Sequence, residues 1–148
     1  MLKIVIDTNL LIDGAEDFYH YGNRIIDLVI SGQVEAFANK STLRENKFLV
    51  SKKITDDGYL KKLEYFFEVV QPVENIERLD VVKDDSQDNK ILESAVAAGA
   101  DYLVTSDKHL LKLEKYKRVR IVTPAGFWRM YEDEGEYGWQ KWLKNFVN

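Results

Sequence analysis

The sequence predicts an α/β fold, and three observations carry that expectation. Short apolar β-rich runs alternate with amphipathic helical segments along the chain, which implies a parallel sheet covered by helices on both faces. The first run, in MLKIVI, is continuously apolar after Lys3 rather than alternating, as suits a strand buried on both sides. The 148 residues, 45% of them hydrophobic, suffice to enclose a single core, and no linker divides them.

Residues 2–6 are the first expected strand, 24–30 a helix by their apolar stripe, and 34–38 a second strand. Residues 42–53 and 57–67 carry helical periodicity and are joined at 54–56, followed by extended stretches at 69–73 and 79–82. The second half reads as helix 86–98, strand 101–105, a helical turn at 110–113, strand 119–122 and helix 124–131. That last helix opens on Pro124, where the missing N–H costs nothing.

Composition narrows the chemistry. Cysteine is absent, which excludes disulfides and thiol catalysis, and the two histidines, His20 and His109, support neither a Ser-His-Asp constellation nor a zinc site. No G-x-x-x-x-G-K or G-x-G-x-x-G loop is present. The N-terminus has no basic region or small-residue cleavage site, and no apolar run is long enough to span a bilayer. A cytoplasmic protein without membrane attachment is therefore expected.

Four acidic residues stand where elements begin or end: Asp7 in IVIDTN, Glu45 in STLRENKFLV, Asp88 in DDSQDNKIL and Asp107 in YLVTSDKHLL. Asp7 and Asp107 follow strands, at the carboxyl edge where α/β sheets collect ligands. Glu45 and Asp88 fall at the starts of expected helices, where backbone N–H groups favour anions. Carboxylates brought together repel and lose hydration, and a hard divalent cation such as Mg²⁺ or Mn²⁺ resolves the conflict. Each acid also has a local explanation. Asp7 and Asp107 could be N-caps, and Glu45 stands three residues after Thr42 in a capping-box arrangement. Asp88 resists this reading, because it shares a helix face with the apolar Ile91, Leu92 and Ala95.

The net charge of −4 at first disfavours a nucleic-acid partner, yet setting the four acids aside leaves the remaining acidic and basic residues in balance. Basic residues concentrate at Lys108, Lys112, Lys115, Lys117, Arg118 and Arg120, and again between Lys47 and Lys62. For any single lysine a solvated helix face is the ordinary explanation.

The segments IVIDTNLLI, DDSQDNKILESAVAAGADYLVTSDKHLLKL and VRIVTPAGFW together resemble the PIN-domain nucleases. The strand-then-Pro ending IVTPAGF is similar to the toxin-type, VapC-like members of toxin–antitoxin systems. The resemblance implies a three-layer α/β/α PIN-like fold with a central parallel sheet. It also implies Mg²⁺- or Mn²⁺-dependent cleavage of RNA, a cognate antitoxin partner, and an acidic quartet at Asp7, Glu45, Asp88 and Asp107. Thr8, Asn9, Asp85, Asn89, Thr105 and Ser106 are the candidates to orient those acids. Ser106 stands where relatives often carry Gly, and His109 where they often carry a further acid. A housekeeping RNA-processing nuclease, an aspartate-nucleophile phosphatase using Asp7 and a non-catalytic binding module are the alternatives. Asn9, in place of a second acid, argues against the phosphatase.

The PIN-like domain is expected over residues 1–131, with residues 132–148 a C-terminal amphipathic helical extension of it. Trp139, Trp142, Leu143 and Phe146 recur there at helical spacing. They suit docking on the domain itself, then a homodimer or antitoxin groove. A membrane surface is the poorest fit, with only Lys141 and Lys144 as cations.

Overall fold

The structure is a computed structural model and describes residues 1–15, 21–74, 77–82 and 86–134. Its elements, in order, are β1 (Lys3–Ile6), α1 (Thr8–Asp13), α2 (Tyr21–Ile30), β2 (Glu35–Asn39), α3 (Lys40–Lys53), α4 (Asp57–Val69) and β3 (Gln71–Val73). There follow α5 (Ser86–Ala98), β4 (Tyr102–Val104), α6 (Lys108–Leu111), β5 (Lys115–Tyr116), β6 (Val119–Val122) and α7 (Pro124–Glu134). The expected C-terminal helical extension, its Trp-rich face included, lies outside the described residues beyond Glu134.

The strands form one sheet in the order β3-β2-β1-β4-β6-β5, with five parallel and β5 alone antiparallel at one edge. The expected central parallel sheet is present, with β5 added at its edge. β5 is two residues long, and the turn back to β6 sets Lys117 at a φ of 52°. So short a strand leaves no periodic trace in the sequence.

Alternation along the strands sends residues to two separate cores. Ile4, Ala36, Tyr102 and Val104 pack with α2, α4 and α7, whereas Val5, Leu103, Val119 and Ile121 pack with α5 and α6. Layers of helix, sheet and helix result. Each fully buried Leu or Ile in these cores contributes roughly 1.5–3 kcal/mol relative to exposure. Among the described residues no helix is long and apolar enough to cross a membrane.

One element is added to the expected set and another is corrected. A helix, α1, follows β1 directly, too short for a periodic signal but capped by Asp7 and anchored by the buried Leu10 and Leu11. Residues 79–82 form no strand, because side chains of α5 occupy their backbone N–H groups. Asn89 Oδ1 accepts from Val81 N at 3.0 Å and Val82 N at 2.8 Å, and a Glu93 carboxylate oxygen accepts from Leu79 N at 2.8 Å.

A buried hydrogen bond fixes α1 against α4. The Tyr59 hydroxyl donates to the Leu11 carbonyl, and burial, reinforced by Asp13 and Asp27, pushes the Tyr59 pKa up so that it stays a donor. Gly14 leaves it room, since a Cβ there would stand 2.5 Å from the Tyr59 hydroxyl oxygen.

Candidate active site

Strand register sets the centre of the site. Ile6 lies opposite Val104, so Asp7 and Thr105 leave the carboxyl edges of adjacent strands side by side. Asp7 N donates to Val104 O at 3.0 Å, and Thr105 N donates to Val122 O at 2.9 Å, which continues the ladder one residue past each strand. The buried Thr105 hydroxyl then links two acids: it donates to Asp7 Oδ2 at 2.8 Å and accepts from Asp107 N at 3.0 Å.

Both aspartates are also N-caps. Asp7 Oδ1 accepts from Asn9 N at 3.4 Å, and Asp107 Oδ1 accepts from His109 N at 2.8 Å and Leu110 N at 3.3 Å. Capping and clustering are therefore not competing explanations here. A cap uses one carboxylate oxygen and leaves the other for a different partner, as Asp7 Oδ2 demonstrates.

Glu45 is corrected in its local role. Helix α3 begins at Lys40, and Asn39 caps it by accepting from Ser41 N at 2.9 Å. Thr42 thus lies inside the helix, and Glu45 is past its first turn, so no capping box forms and Glu45 does not open the helix. Its side chain is exposed and faces Lys90 of α5, whose Nζ lies 3.8 Å from Glu45 Oε1. Asp88, in the first turn of α5, is 7% exposed.

All four acids line one cavity of about 390 Å³, together with Thr8, Asn9, Asn46 and Lys90. A neighbouring cavity of about 490 Å³ shares Asp7, Asn9 and Asp107 and adds Asp13, Ser106 and Lys108. Asn89 is directed elsewhere: besides the bonds above, its Nδ2 donates to Val82 O at 2.7 Å. Asp85 lies outside the described residues.

Asn46, Asp13 and Lys90 are cavity residues that sequence reasoning missed. Asn46 is 5% exposed and accepts from Thr8 Oγ1 at 2.7 Å. Its signal was an amide four residues before Val50, on the buried face of α3. The basic cluster is likewise relocated. Arg120 pairs with Tyr102 and Lys115 with Arg120, while Arg118 Nη2 stands 3.8 Å from Asp101 Oδ1, all near the amino ends of the strands and away from the acids. Only Lys108 of that cluster lines the second cavity.

Oxygen donors of this kind suit a hard cation rather than zinc. Among the described residues no three acidic or histidine side chains stand close enough to cage an ion as they are placed. The carboxylates form a wall around a common space.

A family model described as PIN domain matches residues 3–109, which takes in β1, the start of α6 and all four acids. The chain belongs to the PIN domain family. PIN domains are generally nucleases. Uncharacterized protein MJ1680 of Methanocaldococcus jannaschii is 26% identical over 144 residues, covering 88% of this PIN chain and 92% of that protein. Among solved structures, VapBC2 from Rickettsia felis bound to a DNA fragment from its promoter superposes with a TM-score of 0.54 at 15% identity. That match covers 81% of this chain and 97% of that one, a likeness of fold.

Proposed function

We propose that this PIN domain is a divalent-cation-dependent endoribonuclease acting as the toxin of a toxin–antitoxin pair. The observation that carries the reading is the convergence of Asp7, Glu45, Asp88 and Asp107 on one cavity at the carboxyl edge of the sheet. The fold shared with VapBC2 supports the toxin role.

Asp7, Asp88 and Asp107 would hold the cation, with Glu45 completing the set from α3. When bound, Mg²⁺ or Mn²⁺ supplies activation of water and charge stabilisation for hydrolysis of a phosphodiester bond. The chain's own contribution is placement. Thr105 fixes the Asp7 carboxylate through one hydrogen bond and the start of α6 through another, while Asn46 and Thr8 tie α3 to α1 beside them. No side-chain nucleophile is required, because water adds to phosphorus and the departing oxygen leaves with a proton. An acidic rim of this kind attracts the Arg or Lys side chain of an inhibiting antitoxin.

The purified protein should cut single-stranded RNA with Mn²⁺ or Mg²⁺ and stop on chelation. Asp7→Asn and Asp88→Asn should each lower cleavage by about 100-fold or more while remaining folded. Undiminished cutting by either variant removes that residue from the site. Expression of the wild-type protein should arrest growth and Asp107→Asn should relieve the arrest. Harmlessness of both, with cleavage intact in vitro, moves the protein from toxin to RNA-processing enzyme.

A further inference from the structure

We propose that Lys90 is a substrate-binding residue whose ammonium engages the phosphate of the nucleic-acid strand beside the acids; this rests on the nuclease reading above. Among the described residues, Lys90 is the one cationic side chain lining the four-acid cavity. Its recorded ion pair is with Glu45, on a different helix across that cavity, at 3.8 Å. That separation exceeds hydrogen-bond length, so the ammonium is steered toward the cavity without being locked to the carboxylate.

Local structure does not account for a lysine here. Lys90 is the fifth residue of α5, near the helix end where the dipole disfavours a cation. The ordinary partner three residues on, Glu93, gives a carboxylate oxygen to Leu79 N instead. The Lys90 backbone carbonyl accepts from Ser94 Oγ, which leaves the side chain's position independent of that bond. Its side chain is 35% exposed, enclosed enough to be directed and open enough to meet a ligand.

The electrostatic requirement is plain. A phosphodiester approaching four carboxylates is repelled, and an ammonium lining the same cavity lowers that barrier for an anion of one charge. Lysine serves this as a compact point charge with rotatable donors. Glu45 is then the residue that parks Lys90 while the cavity is empty of substrate.

Cleavage of a labelled single-stranded RNA by the full chain in Mn²⁺ tests this with Lys90→Met, Lys90→Gln and Lys90→Arg, together with thermal melts and Mn²⁺ titration calorimetry. Lys90→Met and Lys90→Gln should raise KM by roughly ten-fold or more with a smaller change in kcat, and Lys90→Arg should recover most of the loss. The salt dependence of kcat/KM should become shallower by about 0.7 in a log–log plot, the slope for one phosphate contact on a single strand. Melting temperature should hold, and Mn²⁺ affinity should hold or tighten. Unchanged KM and salt slope, with a lowered melting temperature, would show that Lys90 merely neutralises Glu45 and would overturn the inference. If Lys90→Met fails to fold, the Gln and Arg variants decide by the same readouts. A wild-type protein that cuts no RNA overturns the nuclease reading, and this inference with it; cutting that ignores Lys90 overturns the inference alone.

Discussion

A single hydroxyl does two jobs at the centre of this site. Thr105 is fully buried and bonded on one side to the Asp7 carboxylate and on the other to the Asp107 backbone, so its position couples the ends of two strands. Valine has the same shape without the hydroxyl. Thr105→Val should lower cleavage by about 10- to 100-fold, the usual effect of losing a group that orients a ligand. It should also cost about 1–3 kcal/mol of stability by leaving a partly buried N–H without an acceptor. Thr105→Ser keeps the hydroxyl and should retain most activity. Equal activity of the Val and Ser variants in a cleavage assay would mean that the hydroxyl only fastens the chain. At this scale the sequence was informative about chemistry and poor about partners: Thr105 could be suspected beside Asp107, but its bond to Asp7, 98 residues away, could not be read.

Among elements, α3 is where local reading failed. The spacing of Thr42 and Glu45 matches a capping box, yet Asn39 starts the helix three residues earlier, because β2 ends on a side chain that can cap at once. The two roles therefore separate between residues. Asn39→Ala should cost about 1 kcal/mol in a denaturant melt, whereas Glu45→Gln, an exposed change away from the cap, should stay within about 0.5 kcal/mol and still lose most cleavage. A Glu45→Gln protein that cuts RNA normally would take Glu45 out of the proposed set. Longer elements were legible because packing rewards a sustained period: α2 and α5 fall close to the expected ranges. Helix α1 and strand β5, with six and two residues, are defined by caps and pairing instead of periodicity. Residues 79–82 looked like a strand for their apolar content, and α5 side chains took the N–H groups a strand would have offered.

For the molecule as a whole, α/β alternation made the class of fold readable, whereas the strand order came only with the structure. Two of the acids, Asp7 and Asp107, stand where a strand gives way to a helix and two, Glu45 and Asp88, within helices, and gathering them sets charge repulsion against core packing. Metal-free protein should accordingly be less stable than the cores alone would make it. At about 100 times its dissociation constant, Mn²⁺ should raise the melting temperature by roughly 5 to 10 °C. Asp88→Asn should raise the metal-free melting temperature and weaken the response to Mn²⁺. Melts of both proteins in EDTA and in Mn²⁺ check this, and a variant with the wild-type metal response would show that Asp88 contributes nothing to ion binding. The sheet order carries a different consequence, one about time. β4 sits beside β1, the first strand made, but is itself synthesised after α5. While the chain is emerging from the ribosome, the place next to Asp7 stays open until Thr105 arrives, and Asp107 comes two residues later. A chain interrupted between Asp88 and Thr105 therefore carries Asp7, Glu45 and Asp88 without a finished rim, and the cavity that the four acids line is complete only when β4 and Asp107 have been added.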